Sequence, residues 1–310
     1  GGGGGLKKVK EFQMGDRSRE EIPSKPSKSR EENNVMGLKI AWQNVVPQQV
    51  NPDLLPDFEV VLGGLKKLAH KVVQPDTEVA VRPIARGNQL PLNPYFEMLV
   101  DSQVVEGVIQ AEKEGYDATM IGCYLDPGLR EARCATEFPV TGASQSAMLL
   151  AQLLGGKFAC VTVADVAVPR LEQNLRLYGL EDCAISQRPI RSIPLSWGEL
   201  WPLMLGSYQN DGEELIEEFE KVAQDCIADG ADVIITGCAW LGPPLSLMGY
   251  RHVADTGIPV VDCAAAGLAM AEMMAKMREG LGVAKSQGIT SLYRTPDQEA
   301  CQKLREEFGL

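Results

Sequence analysis

The sequence predicts an α/β fold in which parallel sheets are covered by helices on both faces. Short β-rich runs alternate with longer stretches of helical spacing, and one strand-forming segment recurs later in the chain. The β-rich runs cover residues 38–46, 78–83, 117–122, 157–163, 184–190, 232–237 and 258–262. Strands that are separated by helices favour parallel pairing, because each connection returns the chain to the same end of the sheet.

The stretches between the predicted strands have the apolar periodicity of helices. The clearest stretch covers residues 211–229, where Leu215, Phe219 and Cys226 follow helical spacing. Acidic residues fill its first turn, next to the positive end of the helix dipole, and Gly230 supplies a C-terminal stop.

Composition and charge restrict the partners of the protein. The chain has 310 residues, of which 45% are apolar and 23% are charged, as in ordinary globular proteins. Its net charge of −12 repels phosphate backbones and anionic lipids, so we expect neither a nucleic-acid partner nor a membrane surface. No apolar run reaches the ~18 residues of a membrane span, and the start of the chain has no signal-peptide core. We therefore expect a cytoplasmic protein.

Residues 1–36 differ from the rest of the chain. Five glycines are followed by a stretch rich in Lys, Glu, Ser and Pro with almost no periodic apolar positions. Such a segment buries too little surface to offset its ordering entropy. It is predicted to be a disordered tail or a linker foreign to the fold, and Met36 is a candidate native start.

Eight cysteines are spread along the chain without the spacing of a disulfide framework or a metal site. They lie at positions 123, 134, 160, 183, 226, 238, 263 and 301, and no two form a C-x-x-C pair. The two histidines, His70 and His252, are isolated, so no metal is expected. The sequence has no dinucleotide loop, Walker loop or nucleophile elbow, so none of these motifs indicates a rival chemistry. Six of the eight thiols are interpreted as small buried apolar groups.

The other two cysteines end the two copies of an internal repeat. Residues 115–123, Gly-Tyr-Asp-Ala-Thr-Met-Ile-Gly-Cys, align without a gap with residues 230–238, Gly-Ala-Asp-Val-Ile-Ile-Thr-Gly-Cys, at a shift of 115 residues. A Pro-Val pair follows each copy, at 139–140 and at 259–260. Each copy is predicted to be a buried strand with a cysteine at its carboxyl end. Because duplicated βα units often form two similar lobes, we expect a cleft between them.

Cys123 and Cys238 are therefore the candidate catalytic residues. In open α/β sheets, ligands bind beyond the carboxyl ends of the strands, where helix dipoles and backbone N–H groups lower the pKa of a thiol. Two thiols on opposing lobes can remove a proton from one face of a carbon and return one to the other face. Backbone amides after each cysteine would stabilise the enolate-like anion. The alternative is that Gly-Cys ends each strand only because small residues pack well there.

Longer motifs around both cysteines resemble those of the Asp/Glu/hydantoin racemase superfamily. Residues 121–129, Ile-Gly-Cys-Tyr-Leu-Asp-Pro-Gly-Leu, resemble the first cysteine motif of its hydantoin and allantoin racemase branch, and residues 230–239 resemble the second. The resemblance spans about residues 38–280. Three further segments are similar to segments of that family, at 139–147, 154–162 and 259–262.

The resemblance implies two Rossmann-like lobes with parallel sheets, related by a pseudo-two-fold axis, with the active site in the cleft between them. Lobe one is predicted to comprise residues 37–138 plus 263–310 and to carry Cys123, and lobe two comprises residues 139–262 and carries Cys238. The resemblance also implies a homo-oligomer that needs no cofactor and acts on a small-molecule substrate. The implied reaction is racemisation or epimerisation of an amino-acid-derived compound, with a hydantoin-like ring as the leading candidate.

Five residues near the motifs are the candidate substrate-binding residues. Tyr124 and Ala239 directly follow the two cysteines, and Thr162 stands at another predicted strand end. Asn44 ends the first predicted strand, where the family often has Asn-Pro-Asn. Ser144 follows the strand that begins at the first Pro-Val pair.

Some of these aromatic and polar residues also have a structural interpretation. Ser144 is a candidate N-cap for a helix that is predicted to begin at Met148, although helix starts also bind carboxylates. Trp42 and Trp240 either narrow the pocket in favour of a flat or apolar substituent or simply fill space. Residues 197–201, Trp-Gly-Glu-Leu-Trp, are a candidate lid or interface.

Two other classes of function stay open at this point. A cis–trans isomerase with a nucleophilic cysteine, or a decarboxylase with one protonating thiol, would use the same scaffold. A non-catalytic protein that only binds a small molecule would retain the fold, and slow alkylation of both thiols would support that interpretation.

Overall fold

Two four-stranded parallel sheets form the framework of the protein. The computed structural model describes residues 37–49, 51–87 and 93–309, so the tail predicted over residues 1–36 lies outside the described residues. The strand order is β2-β1-β3-β4 in the first sheet and β6-β5-β7-β8 in the second, which confirms the α/β fold class. The strands are β1 (Lys39–Pro47), β2 (Glu78–Ile84), β3 (Ala118–Ile121), β4 (Val140–Gly142), β5 (Phe158–Thr162), β6 (Ile190–Ser192), β7 (Val233–Thr236) and β8 (Val260–Asp262).

Ten α-helices in the described ranges connect and cover these strands. They are α1 (Leu55–Val72), α2 (Pro94–Lys113), α3 (Leu129–Ala135), α4 (Ala143–Leu154), α5 (Val168–Tyr178), α6 (Trp197–Tyr208), α7 (Glu213–Ala228), α8 (Gly242–Leu247), α9 (Cys263–Leu281) and α10 (Gln298–Glu307). The helix predicted over residues 211–229 is α7, and its periodic apolar side chains are buried. Across the described ranges, no helix combines the length and the apolar character that a membrane crossing needs.

Of the strand predicted over residues 184–190, only the last residue lies in a strand of the structure. β6 begins only at Ile190, and the residues before it form a turn with a single bridge at Ala184. Arg188 has a φ of 46°, in the left-handed region that strands do not use. Pro189 has no N–H to donate to a neighbouring strand, so the ladder cannot start earlier.

The helix predicted to begin at Met148 begins five residues earlier, at Ala143. Gly142 is therefore the N-cap, and Ser144 lies inside the first turn. The side chain of Ser144 makes no capping hydrogen bond, so the N-cap role considered for it is wrong. The caps for this turn come instead from a carboxylate elsewhere in the chain, as described below.

Helices α4 and α9 cross between the two sheets. α4 follows β4 of the first sheet but contacts strands of the second, and α9 follows β8 of the second sheet but contacts strands of the first. A Cβ on Gly267 of α9 would lie 3.2 Å from Cα of Ala143, so the small residues of both helices permit a close approach. One core cluster contains side chains of both sheets and both helices. The sequence placed the residues of β4 in lobe two. In the structure β4 pairs with β3, so the last strand of the first sheet ends at residue 142.

Candidate active site

A cavity of about 200 Å³ lies at the carboxyl ends of strands from both sheets. Residues that end or follow β1 and β3 line it together with residues that end or follow β5 and β7. These lining segments are 45–46, 122–125, 162–164 and 237–240. The cavity therefore lies where open α/β sheets bind their ligands.

Cys123 and Cys238 occupy equivalent turns at this cavity, and both residues are half-buried. The carbonyl of Cys123 accepts a hydrogen bond from the N–H of Asp126 at 3.0 Å, and the carbonyl of Cys238 accepts one from the N–H of Leu241 at 3.0 Å. Asp126 and Leu241 each lie three residues after the cysteine, so the two turns share one hydrogen-bonding pattern. The repeat in the sequence is thus a repeat in the structure, and it brings both thiols to one cavity.

Close packing requires the glycine before each cysteine. A Cβ on Gly122 would lie 1.9 Å from Nε1 of Trp42, and a Cβ on Gly237 would lie 2.5 Å from Sγ of Cys160. Trp42 is fully buried and does not line the cavity, so of its two predicted roles the structure favours space filling. Its contact with the strand end fixes the position from which the Cys123 turn begins.

The surroundings of both thiols favour their neutral form. Burial raises the pKa of Cys123 to about 12 and raises the pKa of Cys238 above its ordinary value. Backbone N–H groups oppose this effect: that of Leu125 bonds to the sulfur of Cys123, and that of Trp240 donates to Sγ of Cys238 at 3.5 Å. These N–H groups lower the pKa of both thiols, and their expected role toward an anion derived from the substrate stays a prediction.

Three of the five predicted substrate-binding residues line the cavity, namely Tyr124, Thr162 and Ala239. The hydroxyl of Thr162 donates to the carbonyl of Gly237 at 2.9 Å, which ties β5 to the turn that carries the second cysteine. Tyr124 is 2% exposed, so little of its surface is available to a ligand.

Asn44 and Ser144 do not line the cavity, because backbone groups nearby engage both residues. Oδ1 of Asn44 accepts hydrogen bonds from the N–H groups of Val45 and Val46, at 2.7 and 3.2 Å. Ser144 is fully buried, and its N–H donates to Oδ1 of Asp126 at 2.9 Å. The N-terminus of α4 is thus capped from within the protein, so the structure does not offer it to a substrate carboxylate.

An aromatic wall, which consists of Phe58, Trp197, Trp201 and Trp240, forms part of the cavity lining. The ring centroids of Trp197 and Trp201 lie 5.4 Å apart. The ring centroid of Trp240 lies 5.8 Å from that of Trp201 and 5.8 Å from that of Phe58. Nε1 of Trp201 donates to Asp57 at 2.9 Å, which joins α6 to α1. Rings from three separate parts of the chain therefore form one continuous apolar surface.

Sequence reasoning found this wall only in part. Trp197 and Trp201 have the i, i+4 spacing that puts two rings on one face of a helix, and the capping box of Ser196 and Glu199 marks where that helix begins. Phe58 carries no comparable signal, because it meets Trp240 only through the packing of α1 on the second cysteine turn.

The cavity is uncharged and almost entirely apolar. None of the described residues that line it is Asp, Glu, Lys, Arg or His. In the described part of the chain, no group of three or more His, Cys, Asp or Glu side chains is arranged to hold a metal ion. The ionisable side chains in the described lining are the two thiols and the phenol of Tyr124, whose pKa burial raises well above its ordinary value.

The sequence model of the Asp/Glu/hydantoin racemase family matches residues 59–271, which include both cysteine turns and most of the strands. The chain belongs to the Asp/Glu/hydantoin racemase family. This racemase shares its two equivalent sheets with solved structures of the same fold. Membership of the family and the relatives named below identify it as an isomerase of the racemase class.

Two hydantoin racemases are similar to this chain in sequence. The enzyme of Pseudomonas sp. (strain NS671) is 28% identical over 252 residues, which are 79% of this chain and 91% of the relative. The enzyme of Rhizobium meliloti is 33% identical over 184 residues, which are 59% of this chain and 69% of the relative. The structure of allantoin racemase from Klebsiella pneumoniae superposes with a TM-score of 0.65 at 22% identity, covering 84% of this chain and 95% of its own. That structural likeness shows the two-lobe fold of the racemase.

Proposed function

We propose that this racemase inverts the stereocentre of a neutral, hydantoin-like ring by proton transfer through Cys123 and Cys238, without a cofactor. The observation that carries the proposal is the pair of equivalent turns that bring both thiols to a single cavity. Decarboxylation with one protonating thiol, or cis–trans isomerisation with one nucleophilic thiol, would not use the second thiol. The two named relatives, which are hydantoin racemases, support the choice of ring.

The reaction needs one thiolate and one thiol. The thiolate takes the proton from the stereogenic carbon, and the electron pair of the C–H bond moves toward the ring carbonyl to give an enolate. The thiol of the other cysteine then gives its proton to the opposite face of the same carbon, so the thiolate and the thiol have exchanged places. The N–H groups of Leu125 and Trp240 stabilise the sulfur that carries the charge. Tyr124, Thr162 and Ala239 are proposed to contact the ring.

The walls of the cavity favour a ring that carries an apolar substituent. Since none of the described lining residues is charged, a carboxylate or ammonium group would be buried there without a partner, which disfavours free aspartate and glutamate. The aromatic wall provides a flat apolar surface for an aryl or branched alkyl group. The polar ureido substituent of allantoin would lose hydrogen bonds to water against the same surface.

Proton exchange in D2O tests this function. The protein, with its thiols reduced, is incubated with single enantiomers of 5-benzylhydantoin, 5-isopropylhydantoin, allantoin, aspartate and glutamate, and each reaction is followed by NMR and polarimetry. We expect deuterium at the stereocentre and loss of optical rotation for the two apolar hydantoins. If no compound exchanges faster than it does in buffer alone, the proposed function is overturned.

Trp197→Ala is expected to weaken the binding of large substituents selectively. The change removes the ring that stacks on Trp201 and opens the edge of the aromatic wall. KM for 5-benzylhydantoin should therefore rise about tenfold, whereas KM for 5-methylhydantoin should change little. Tyr95→Ala, which removes an exposed ring of α2, is the matched control. An equal rise of KM for both substrates would contradict the assignment of this wall to the substituent.

A further inference from the structure

One peptide unit of the Cys123 turn is hydrogen-bonded at both ends. This unit joins Leu125 to Asp126. Its N–H, which belongs to Asp126, donates to the carbonyl of Cys123 at 3.0 Å. Its carbonyl, which belongs to Leu125, accepts a hydrogen bond from Nδ2 of Asn174 at 3.0 Å. The turn is therefore closed by its own backbone and held from outside by a side chain of α5.

The equivalent peptide unit of the Cys238 turn has the same two hydrogen bonds. This unit joins Trp240 to Leu241, and its N–H donates to the carbonyl of Cys238 at 3.0 Å. Its carbonyl accepts a hydrogen bond from the hydroxyl of Tyr208, on α6, at 2.9 Å. Asn174 and Tyr208 thus have the same structural task, although they differ in residue type and lie on different helices.

Both donor side chains are buried and are held in place by their own surroundings. Asn174 is 1% exposed and Tyr208 is 8% exposed. Nη1 of Arg170 donates to Oδ1 of Asn174 at 3.0 Å, which orients the amide so that Nδ2 faces the cysteine turn. The ring of Tyr208 lies against Gly64 of α1, where a Cβ would be 2.1 Å from its Cδ1. Removal of either donor would leave a partly buried carbonyl without this hydrogen bond, which is costly.

Leu125 and Trp240 also carry the N–H groups that contact the catalytic sulfurs. The N–H of Leu125 bonds to the sulfur of Cys123, and the N–H of Trp240 donates to Sγ of Cys238 at 3.5 Å. Because the buried donor fixes each of these residues at its carbonyl, its N–H keeps one direction toward the sulfur. Proton transfer depends steeply on such alignment, since a displacement of about 1 Å can cost about 10²-fold in rate.

We propose that Asn174 and Tyr208 are a matched pair of positioning residues, each of which fixes the backbone that holds one catalytic thiol in place for proton transfer. Neither residue is part of the described cavity lining, so each acts through a cysteine turn and not on the substrate. Asn174 lies on a helix that follows β5 of the second sheet, whereas its turn follows β3 of the first, so this bond also joins the two sheets. The inference rests on the proposed two-thiol mechanism and adds to it the residues that fix each thiol.

Proton exchange by one thiol at a time tests this assignment. Asn174→Leu and Tyr208→Phe each remove the donor and keep a side chain of similar size. Each change is combined with Cys238→Ser, which leaves Cys123 as the exchanging thiol, and separately with Cys123→Ser, which leaves Cys238. Exchange of both enantiomers of 5-benzylhydantoin in D2O is followed by NMR, and the two single Cys→Ser variants are the references.

We expect each change to impair one thiol only. Asn174→Leu should lower the exchange rate through Cys123 by at least about tenfold and change the rate through Cys238 by less than about twofold. Tyr208→Phe should give the opposite result, so each variant is the matched control of the other. KM should change little in both variants, because neither side chain lines the cavity. An equal loss through both thiols, or no loss through the thiol whose turn was altered, would overturn the proposal.

Amide hydrogen exchange of the substrate-free protein separates this inference from the proposed function. Mass spectrometry should show the N–H of Asp126 exchanging about tenfold faster in Asn174→Leu, and the N–H of Leu241 about tenfold faster in Tyr208→Phe, while the other turn keeps its protection. Circular dichroism shows whether each variant is folded, and if one is not, the other decides.

If neither reference variant exchanges 5-benzylhydantoin, the proposed function fails and the amide experiment alone decides the inference. Unchanged protection of both turns overturns it, whereas loss of protection confined to the altered turn supports it.

Discussion

Cys123→Ser and Cys238→Ser are each expected to lower the rate of racemisation by about 10²- to 10⁴-fold, the usual contribution of one acid–base group. A serine hydroxyl has the shape of the thiol but does not ionise near neutral pH, so one face of the substrate loses its proton donor or acceptor. Each variant should still exchange the C–H proton of one enantiomer with D2O, because the remaining thiol can remove and return a proton on its own face. Polarimetry measures the lost racemisation, and NMR measures the exchange that is left.

The two variants should retain exchange on opposite enantiomers, because the thiols lie on turns of opposite lobes. Cys301→Ser is the matched control, since this half-buried thiol lies on α10 outside the cavity lining. It should retain full activity on both enantiomers. Unimpaired racemisation in either single variant at the cavity would refute the two-thiol mechanism, and so would exchange of both enantiomers by one variant.

The sequence predicted those parts of the site that depend on short stretches of chain. The two cysteine turns follow strands whose apolar runs are visible in sequence, and the gapless repeat placed both cysteines at the same point of two βα units. Asn44 and Ser144, which the sequence predicted to bind substrate, lie outside the cavity lining for a local reason. An Asn side chain at a strand end readily accepts the next N–H groups, and the first N–H groups of α4 already had a carboxylate partner.

The remainder of the site depends on contacts between distant parts of the chain. Phe58 and Trp240 are neighbours because α1 packs on the turn after β7, and no periodicity in the sequence encodes that contact. The role of Asp126 in the fold was equally hidden, because in the sequence this residue reads as part of an Asp-Pro-Gly turn. Its second task, capping α4 from a distance of 18 residues along the chain, appears only when β4 is paired with β3.

The activity is expected to rise steeply with pH above neutrality. Burial raises the pKa of Cys123 to about 12 and the pKa of Cys238 above its ordinary value, so the form with one thiolate and one thiol is a minor species at pH 7. Its population, and with it kcat/KM, should increase about tenfold per pH unit between about pH 7 and pH 9, since kcat/KM reports the ionisation of the free enzyme. Because the thiols interact, the pair titrates in two steps, and activity should fall again only when both are ionised. Initial rates on 5-benzylhydantoin across this range, with the ionisation of the substrate measured in the same buffers, provide the profile.

The stability of the folded protein sets the highest pH at which these rates can be measured. Burial also raises the pKa of Cys160, Cys226 and Cys263, so the folded chain holds these protons more tightly than the unfolded chain does. Their contribution to stability is complete below the ordinary thiol pKa and is lost as pH rises through the higher folded values. The midpoint of thermal unfolding should therefore be constant between about pH 7 and pH 8 and fall above about pH 9. If kcat/KM is flat between pH 7 and pH 9 while the protein stays folded, one thiolate is already formed at neutral pH. That result would contradict the conclusion that burial keeps both thiols protonated.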